Sequence, residues 1–282
     1  MTRYLRAWAI GGDGRYPWAV KSLRERGIPI KTWGVPGMEN QGEHLHEVLT
    51  GANLVLLPMV PFHNETLKVA GESLTAGILP RILGEEALLV GGTFPEDLEA
   101  WLRDQGVRCA SLLELEGYLI QNAAVTAEGG VCLALEHMDR TLFGAKALVI
   151  GWGRIGRFLG TKLRNLGAEV TVAARKHWQR TELELVGYET VVPGTYRGGL
   201  EGYDLVINTV PEQIMTEEQF ESLSPECVVI ELASLPGGFP EAGRERVVMG
   251  QALPGKTAPK TAGVNLADAV CQCLMGEGRT LE

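Results

Sequence analysis

Short apolar runs that end in glycine or proline alternate along this chain with longer segments whose apolar residues recur every three or four positions. The runs lack alternating polar residues, which is typical of parallel strands buried on both faces. They occur at 8–12, 29–35, 52–60, 86–92 and 107–113 in the first half, and at 146–150, 168–175, 188–193, 203–210, 227–234 and 246–252 in the second. Strands that alternate with helices predict an α/β fold with parallel sheets.

Helices are predicted between these strands from the apolar periodicity, and proline or glycine marks several of their ends. The predicted helices cover 17–26, 43–49, 95–106, 155–166, 177–186, 216–223 and 261–275. A long segment, 114–138, is predicted to form a helix, a turn near NAAVTAEGG and a second helix. We expect this segment to connect two domains.

The order of the elements predicts two doubly wound βα domains. An N-terminal substrate-side domain is expected over 1–120, a connecting helical segment over 121–138 and a dinucleotide-binding domain over 139–254. The remainder, 255–282, is expected to form a lysine-bearing loop and a last helix that returns to the first domain. Two crossings between the domains suit a cleft that closes on its ligand.

The stretch KALVIGWGRIG carries the pattern G-x-G-x-x-G at Gly151, Gly153 and Gly156. It follows an apolar strand, opens a helix and precedes another strand, and this context makes it a Rossmann dinucleotide-binding fingerprint. The first glycine permits the tight turn, the second lets the backbone approach a pyrophosphate, and the third lets helix and strand pack closely. Free N–H groups at the helix N-terminus face the phosphate charge. The predicted cofactor site also includes the intervening residues Trp152, Arg154 and Ile155.

The end of the second strand in this domain indicates which dinucleotide is bound. An NAD-binding domain usually has an acidic residue there, which binds the ribose 2′-hydroxyl. This chain has Ala174, Arg175 and Lys176 instead, and an arginine can pair with a 2′-phosphate through two hydrogen bonds. NADP(H) is therefore the predicted cofactor. The alternative is that Arg175 and Lys176 only begin a solvated loop.

The exits of the next two strands are predicted to face the nicotinamide half, because ligands bind outside the carboxyl ends of parallel strands. Pro211 stops one strand, and Thr209 offers a hydroxyl at the same edge. The predicted cofactor residues at these exits are Asn208, Thr209, Val210, Pro211, Ala233 and Ser234.

The sequence ALPGKTAPKTAG, 252–263, places two lysines among prolines and glycines in an otherwise acidic chain. Lys256 and Lys260 are predicted to lie on a stiff loop at the edge that carries the cofactor site. With Thr261, this loop is expected to hold an anionic substrate, because a restricted loop loses less entropy on binding. A solvated turn before the last helix is the alternative.

The first half offers a second predicted ligand edge at GGDGR, 11–15, just after the first strand. Arg15 is the candidate clamp for a substrate carboxylate, with Gly12 beside it and Asp13 orienting it; a surface arginine is the alternative. The connecting segment adds the polar residues Asn122, Thr126 and Glu128 near the expected cleft. Thr126 is alternatively a helix N-cap.

Composition and charge exclude several kinds of function. The 282 residues carry a formal net charge of −9 and no basic run, so nucleic acid is not an expected partner. The five cysteines and five histidines lack metal-ligand spacing, so no metal site is predicted. No apolar run approaches the roughly 20 residues that span a bilayer, and no signal-peptide pattern begins the chain. We therefore expect a cytoplasmic protein without a membrane partner.

Six stretches occur in an order that resembles the A subunit of bacterial dipicolinate synthase. They are NAAVTAEGG, LVIGWGRIG, VAAR, INTVP, IELASLPGG and ALPGKTAPKTAG, and the last two are the most specific. The resemblance runs from about Gly11 to the last helix. It implies NADP-dependent oxidation of dihydrodipicolinate, formed from 4-hydroxy-tetrahydrodipicolinate of the lysine pathway, to dipicolinate during sporulation in the mother cell. It also implies a partner, the separate flavoprotein-like B subunit, and we expect a homo-oligomer.

The implied reaction removes a hydride and a proton from the ring, so it requires a base. The candidates are Lys260, Glu128, His63 and Asp13, and the sequence does not choose among them. The two carboxylates of the implied ligand agree with a cation at each predicted edge, Arg15 at one and the lysine pair at the other.

Two other functions stay open. An NADP-dependent dehydrogenase of the 2-hydroxyacid type shares the two-domain arrangement. That family has an arginine after the fifth strand and a histidine further on, whereas this chain has Ser234-Leu235-Pro236 there and no histidine beyond His177. A regulatory module that binds NADPH without catalysis would keep the glycines and would need no cations in the cleft.

Overall fold

The computed structural model describes residues 5–196 and 199–276, and it contains two parallel sheets flanked by helices. The predicted α/β fold class is confirmed. The chain divides into two compact units, an N-terminal unit of the residues up to Asn122 together with those from Ala258 onward, and a central unit, Ala123–Thr257. The outermost parts of the predicted terminal segments, 1–4 and 277–282, lie outside the described residues.

Strands and helices alternate along most of the described chain. In chain order, the strands are β1 (Ala7–Ile10), β2 (Ile30–Trp33), β3 (Leu54–Leu56), β4 (Phe62–His63), β5 (Thr66–Val69), β6 (Glu72–Thr75), β7 (Leu88–Gly91), β8 (Arg108–Ser111), β9 (Lys146–Ile150), β10 (Glu169–Ala173), β11 (Glu189–Val191), β12 (Leu205–Asn208), β13 (Val228–Glu231) and β14 (Val247–Met249). The helices are α1 (Tyr16–Glu25), α2 (Leu45–Leu49), α3 (Leu79–Ile82), α4 (Glu96–Asp104), α5 (Glu116–His137), α6 (Arg154–Asn165), α7 (His177–Leu185), α8 (Glu217–Glu221), α9 (Leu253–Thr257) and α10 (Pro259–Met275).

The N-terminal unit is built on a parallel sheet with the order β2-β1-β3-β7-β8. Strand β1, which has a neighbour on each side, shows why the runs in the sequence are continuously apolar. Ala7 and Ala9 face one core, which α1 and α10 cover, and Trp8 and Ile10 face the other. The strand order reverses between β1 and β3, and in open α/β sheets such a reversal marks the crevice where ligands bind.

A three-stranded antiparallel sheet, β4-β5-β6, also belongs to this unit, and the sequence did not predict it. Its strands are two to four residues long. Its turns place residues other than glycine at positive φ, namely Asn64 at 47°, Glu65 at 58° and Ala70 at 49°. The usual Asn-Gly or Asp-Gly hairpin signal is therefore missing from the sequence.

The central unit has the sheet order β11-β10-β9-β12-β13-β14, with all neighbouring strands parallel. In the unit's own strand numbers this is 3-2-1-4-5-6, the Rossmann order. Residues of β9 alternate between two cores in the same way, with Ala147 and Val149 facing one and Leu148 and Ile150 the other. The strand order reverses between β9 and β12.

Helix α5 is continuous over 22 residues, so the turn predicted near NAAVTAEGG is wrong. The glycines of that stretch serve close packing instead. A Cβ on Gly129 would lie 2.9 Å from Cβ of Leu253, and one on Gly130 would lie 2.9 Å from Cδ1 of Leu232. A glycine pair therefore indicates either a turn or a close contact, and the sequence alone does not distinguish the two.

The predicted lysine loop is also wrong, because the stretch is helical. Lys256 lies in α9 and Lys260 in the first turn of α10. Pro259 occupies the first turn of α10, where proline is tolerated because those N–H groups have no intrahelical partner. The prolines therefore begin helices here and do not stiffen a loop.

Helices α1 and α10 of the N-terminal unit cross at Gly263. A Cβ there would lie 2.4 Å from the carbonyl oxygen of Arg15 and 2.5 Å from Cβ of Trp18. Only glycine allows this approach, which buries Leu266 and Val270 of α10 against the sheet core.

We expect Gly263→Ala to lower the free energy of unfolding by about 1–3 kcal/mol, the usual effect of overpacking. Equilibrium urea unfolding measures this difference. Gly117→Ala is the matched control, since Gly117 is also helical and its Cβ would meet no atom within 4 Å. That control should be neutral or stabilise by up to about 1 kcal/mol. Equal free energies of unfolding for the two variants would contradict the close crossing of α1 and α10.

Candidate functional site

The turn from β9 into α6 explains two of the three motif glycines by steric contact. Gly151 has a φ of +100°, and its N–H donates to the carbonyl oxygen of Ala173 at 2.9 Å. A Cβ on Gly151 would lie 2.5 Å from Oγ1 of Thr209, and one on Gly156 would lie 2.1 Å from the carbonyl oxygen of Gly151. Strand, helix and the exit of β12 therefore meet in contacts that exclude side chains.

Gly153 is different, because no heavy atom lies within 4 Å of the position its Cβ would take. Its backbone is extended, with φ −86° and ψ −160°, and accepts any residue. Folding therefore does not require glycine here. The residue is the N-cap of α6, whose first N–H groups lack intrahelical partners. This geometry fits a pyrophosphate that approaches the turn from outside.

The other predicted residues of this turn contribute mainly to packing. The hydroxyl of Thr209 donates to the carbonyl oxygen of Ile150 at 2.9 Å. The ring of Trp152 packs edge-on against Tyr188, with ring centres 5.5 Å apart, and Ile155 is half-buried against the core. Arg154 is exposed in the first turn of α6.

The exit of β10 presents the two cations that the sequence predicts. Ala174 is buried, whereas Arg175 and Lys176 are exposed. The Arg175 guanidinium lies 3.8 Å from the carboxylate of Glu212, and both side chains are more than 70% exposed, at 82% and 72%. Such a pair is weak, so the guanidinium can exchange its partner for a phosphate.

Arg180 on α7 fixes the shape of this exit, and the sequence did not predict it. Its Nη1 donates to the carbonyl oxygens of Ala174 at 2.7 Å and Arg175 at 2.9 Å. No motif marks this residue, because its role depends on how α7 folds back onto the loop.

A buried carboxylate, Glu231, connects the exits of β12 and β13. It is 2% exposed and accepts hydrogen bonds from the backbone N–H groups of Ala233 at 2.9 Å and Gly238 at 2.8 Å. Asn208, which is fully buried, donates from Nδ2 to both Glu231 oxygens at 2.9 and 3.0 Å and to the carbonyl oxygen of Val210 at 2.8 Å. Asn208 therefore supports the predicted cofactor edge from behind.

The remaining predicted residues at these exits lie on the loops that this network holds. Ala233 is buried and Pro211 is exposed. The N–H of Val210 donates to Oδ1 of Asn208 at 2.9 Å, and the carbonyl oxygen of Ser234 accepts from the N–H of Gly237 at 3.0 Å.

In the N-terminal unit, Arg15 is a buried guanidinium, 5% exposed, and not the surface arginine that the sequence left open. Its Nε donates to Oδ1 of Asp13 at 2.9 Å, as the predicted orienting role of Asp13 requires. Its Nη1 donates to the hydroxyl of Tyr118 at 3.2 Å and to Oδ1 of Asn122 at 3.4 Å. Within 5–196 and 199–276, Nη2 has no hydrogen-bond partner, so one donor nitrogen stays available.

The surroundings of Arg15 keep it charged. Burial lowers its pKa, but the nearby Tyr118 and Asp13 more than compensate, and the net effect raises the pKa above its usual value. Burial also raises the pKa of the Tyr118 phenol, although Arg15 opposes this. The cluster therefore presents a permanent cation with a neutral phenol beside it.

The two lysines of the C-terminal stretch do not form one cluster within a unit. Lys260 belongs to the N-terminal unit, where its Nζ lies 5.7 Å from the centre of the Trp18 ring. Lys256 is exposed near the end of α9 in the central unit, and Thr261 is exposed on α10.

The other base candidates have ordinary surface environments. Glu128 is 58% exposed and accepts from Nζ of Lys162 at 2.9 Å. His63 is exposed on β4, where it pairs with Thr66 in the ladder. Thr126 lies inside α5 at 6% exposure, so it is not the N-cap that was the alternative.

Gly12 and Asp13 line a pocket at the carboxyl end of β1. A Cβ on Gly12 would lie 2.2 Å from Cγ of Tyr16, so the chain needs glycine there for packing.

The part of the chain that the structure describes holds no group of His, Cys, Asp and Glu suited to a metal ion. Its cysteines are all free, and burial raises the pKa of Cys109 and Cys227 to about 12. Among the same residues, no helix combines the length and the apolar content that crossing a membrane requires.

Comparison with known proteins relates both units to one kind of protein. Residues 7–113 match the family model for the N-terminal domain of the dipicolinate synthase A subunit. The dipicolinate synthase A subunit of Bacillus subtilis is 28% identical over 297 residues, which cover 96% of this chain and 96% of the relative. The crystal structure of the dipicolinate synthase A subunit from Bacillus halodurans has a TM-score of 0.82 at 28% identity, over 95% of this chain and 97% of that one.

A transhydrogenase from Sinorhizobium meliloti shares the fold, with a TM-score of 0.70 at 16% identity over 96% of this chain and 94% of that one. This more distant likeness concerns the architecture alone. The nearer matches extend over both units and agree with the resemblance carried by the sequence motifs. The chain is therefore similar to the dipicolinate synthase A subunit, by the family model over 7–113 and by the two Bacillus proteins over nearly its whole length.

Proposed function

We propose that this chain is an NADP(H)-dependent oxidoreductase that acts as the A subunit of a dipicolinate synthase. Its substrate is a dihydropyridine dicarboxylate and its product is dipicolinate. The observation that carries the dinucleotide part is Gly153, a glycine that folding does not require, at the start of a helix in a Rossmann-ordered sheet. The relatives from the two Bacillus species support the substrate part.

The reaction converts a dihydropyridine ring to an aromatic one. One ring C–H bond is lost as a hydride and a second ring proton goes to a base. If the ring first arrives as 4-hydroxy-tetrahydrodipicolinate, one water molecule leaves before this oxidation. Bound NADP+ supplies the hydride acceptor. The protein's own task is to hold the ring carboxylates and to position the base.

Among the four base candidates, Asp13 has the most support. It lies at the carboxyl end of β1, and Arg15 holds its carboxylate at 2.9 Å. Asp13 also lines a pocket there, whereas Glu128, paired with Lys162 at the surface, and Lys260, over the Trp18 ring, lie outside its lining. Lys260, Glu128 and His63 stay candidates.

The cofactor preference rests on Arg175, Lys176 and the loop they share. Their exposed charges are available for a 2′-phosphate, and Arg180 fixes the backbone beneath them. The predicted Gly151 to Gly156 turn takes the pyrophosphate, and the exits of β12 and β13 take the nicotinamide half.

The proposal includes the setting that the resemblance implies. The protein works with a flavoprotein-like B subunit, forms a homo-oligomer and acts in the cytoplasm of the mother cell during sporulation. Assays therefore include the B subunit in one arm and omit it in the other.

The first test follows dipicolinate and NADPH together. Purified protein supplied with NADP+ and the cyclic lysine-pathway precursor should form dipicolinate and NADPH in equal amounts. Gly153→Ala should fold normally, because its Cβ meets open space, yet bind NADPH at least about tenfold more weakly, because the side chain enters the path of the pyrophosphate. Absorbance, calorimetric titration and thermal unfolding measure these quantities.

Gly202→Ala is the control for this test, since Gly202 lies in the same unit and also has no neighbour within 4 Å. It should keep both activity and NADPH affinity. Unchanged NADPH binding by Gly153→Ala would contradict the pyrophosphate assignment. Oxidation of a 2-hydroxy acid instead would favour the first alternative, and NADPH binding without any oxidation would favour the sensor.

The second test concerns the choice between NADPH and NADH. The parent protein should bind NADPH more tightly, and Arg175→Asp should abolish or invert this preference, because a carboxylate repels the 2′-phosphate and can accept from a 2′-hydroxyl. Titration with both cofactors measures the ratio. Arg103→Asp, an equal charge reversal on an exposed residue of the other unit, should leave the ratio unchanged. Equal affinities in the parent would refute the argument.

The third test concerns Glu231. Glu231→Gln replaces one carboxylate oxygen with an N–H₂ group. That group cannot accept the hydrogen bond that the backbone N–H of Ala233 or Gly238 now donates, so the exits of β12 and β13 should shift. We expect NADPH affinity to fall by about tenfold or more, while 2′,5′-ADP, which lacks the nicotinamide half, binds as before. Glu218→Gln is the exposed control. Equal losses for both ligands would indicate general damage and contradict a role at the nicotinamide half.

A further inference from the structure

The N-terminal unit has a pocket of its own at the carboxyl ends of β1 and β3. Its volume is about 460 Å³, within the range of small-ligand sites. The position is the point where the strand order of this sheet reverses, which is where open α/β sheets bind ligands. The unit therefore offers a ligand site that does not depend on the glycine turn of the central unit.

The hairpin β5–β6 forms one wall of this pocket, and it packs on the sheet edge at Gly11 and Gly34, which have no side chains. A Cβ on Gly11 would lie 2.6 Å from Cγ1 of Val69, and one on Gly34 would lie 2.7 Å from Cβ of Ala70. These glycines seat the hairpin directly on the edge of the parallel sheet. The contact brings Lys68, the residue before Val69, into the lining of the pocket.

Lys68 is an exposed lysine in the ladder opposite Ser73. No carboxylate or other acceptor pairs with its ammonium in the described parts of the chain. A cation without a partner at a pocket wall can bind an anionic ligand without first breaking an ion pair.

The opposite wall carries the Arg15 cluster. Asp13 lines the pocket and accepts from Nε of Arg15 at 2.9 Å. Met59 also lines it, with its sulfur 3.7 Å from the hydroxyl of Tyr118, the phenol that accepts from Nη1 of Arg15. Arg15 itself does not line the pocket; its buried guanidinium contacts this wall through Asp13, and through Tyr118 beside Met59. The lining contains one cation, Lys68, and one carboxylate, Asp13; with Arg15, which pairs with Asp13 from outside the lining, the three groups carry a net positive charge.

Apolar surface completes the lining. Tyr16, Pro58, Met59 and Val69 contribute carbon atoms between the two charged walls. Small-molecule sites combine apolar walls with convergent polar groups, and this pocket has both, with polar surface the larger part of its lining. The ring of pyridine-2,6-dicarboxylate carries its two carboxylates on either side of the ring nitrogen, so one carboxylate can face Lys68 while the ring faces contact carbon and the other carboxylate lies toward the opposite wall.

We propose that this pocket binds the ring dicarboxylate and that Lys68 is a specificity-determining residue for its second carboxylate. The proposal rests on the function proposed above and deepens it. It moves the cation partner of Arg15 from the lysines at 256 and 260 to the hairpin, which no sequence motif marks. Lys68 meets the second carboxylate directly, and Arg15 acts from behind the opposite wall, where it pairs with Asp13.

The test compares dipicolinate with picolinate, which has the same ring and one carboxylate, by calorimetric titration of the full chain with NADP+ present. The parent should prefer dipicolinate. Lys68→Met keeps the stem and removes the charge, so dipicolinate should bind at least about tenfold more weakly, and the preference over picolinate should shrink by a similar factor. Lys68→Arg, which keeps the charge, should restore most of the affinity.

Lys21→Met is the matched control, because Lys21 is an exposed lysine on α1 of the same unit and lies over the Trp18 ring, outside the pocket lining. It should change neither affinity. If the parent binds dipicolinate and Lys68→Met binds it equally well, the pocket assignment is wrong and the proposed function stands. If the parent binds no dipicolinate at all, both proposals are wrong.

Discussion

At the carboxyl edges of both sheets, glycines let neighbouring elements approach more closely than a residue with a Cβ would allow. The placement of the loops at these edges depends on those close contacts. In the central unit, Gly156 of α6 lies against the carbonyl of Gly151, so the helix begins directly on the strand exit. In the N-terminal unit, Gly11 and Gly34 let the hairpin lie against the sheet edge. Parallel strands all end at one edge, and glycine there determines what can lie next to that edge.

Each edge also contains one buried charge, and the two are stabilised in different ways. Glu231 has neutral partners, two backbone N–H groups and the Asn208 amide, and among the described residues no cation belongs to its hydrogen-bond set. Arg15 has the carboxylate of Asp13 and two neutral oxygens. A buried charge is tolerated only when hydrogen bonds replace its hydration. Both groups therefore hold their loops in one arrangement.

The two networks differ in how much hydrogen-bonding capacity they leave for a ligand. The hydrogen bonds of Glu231 are directed inward, to the loops that it joins. Arg15 retains a donor nitrogen, Nη2, although the carboxylate of Asp13 balances its charge. The first arrangement supports a binding edge, whereas the second can take part in binding. This contrast is the physical reason for assigning a positioning role to Glu231 and a ligand-facing role to Arg15.

The apolar runs and the glycine pattern determined much of this protein, because burial on both faces and backbone sterics act over a few residues. They predicted the strands of both parallel sheets, most helices, the Rossmann turn and the pairing of Asp13 with Arg15. They failed where one local pattern has two structural uses: Gly129 and Gly130 suggested a turn and serve packing, and Pro259 suggested a stiff loop and begins a helix.

Tertiary structure alone decided the partners of the charges. Tyr118 is 103 residues from Arg15, Glu231 is 23 from Asn208, and Lys68 reaches its pocket only because the hairpin packs on glycines distant in sequence. Such contacts depend on how elements pack, and no short stretch of sequence encodes that.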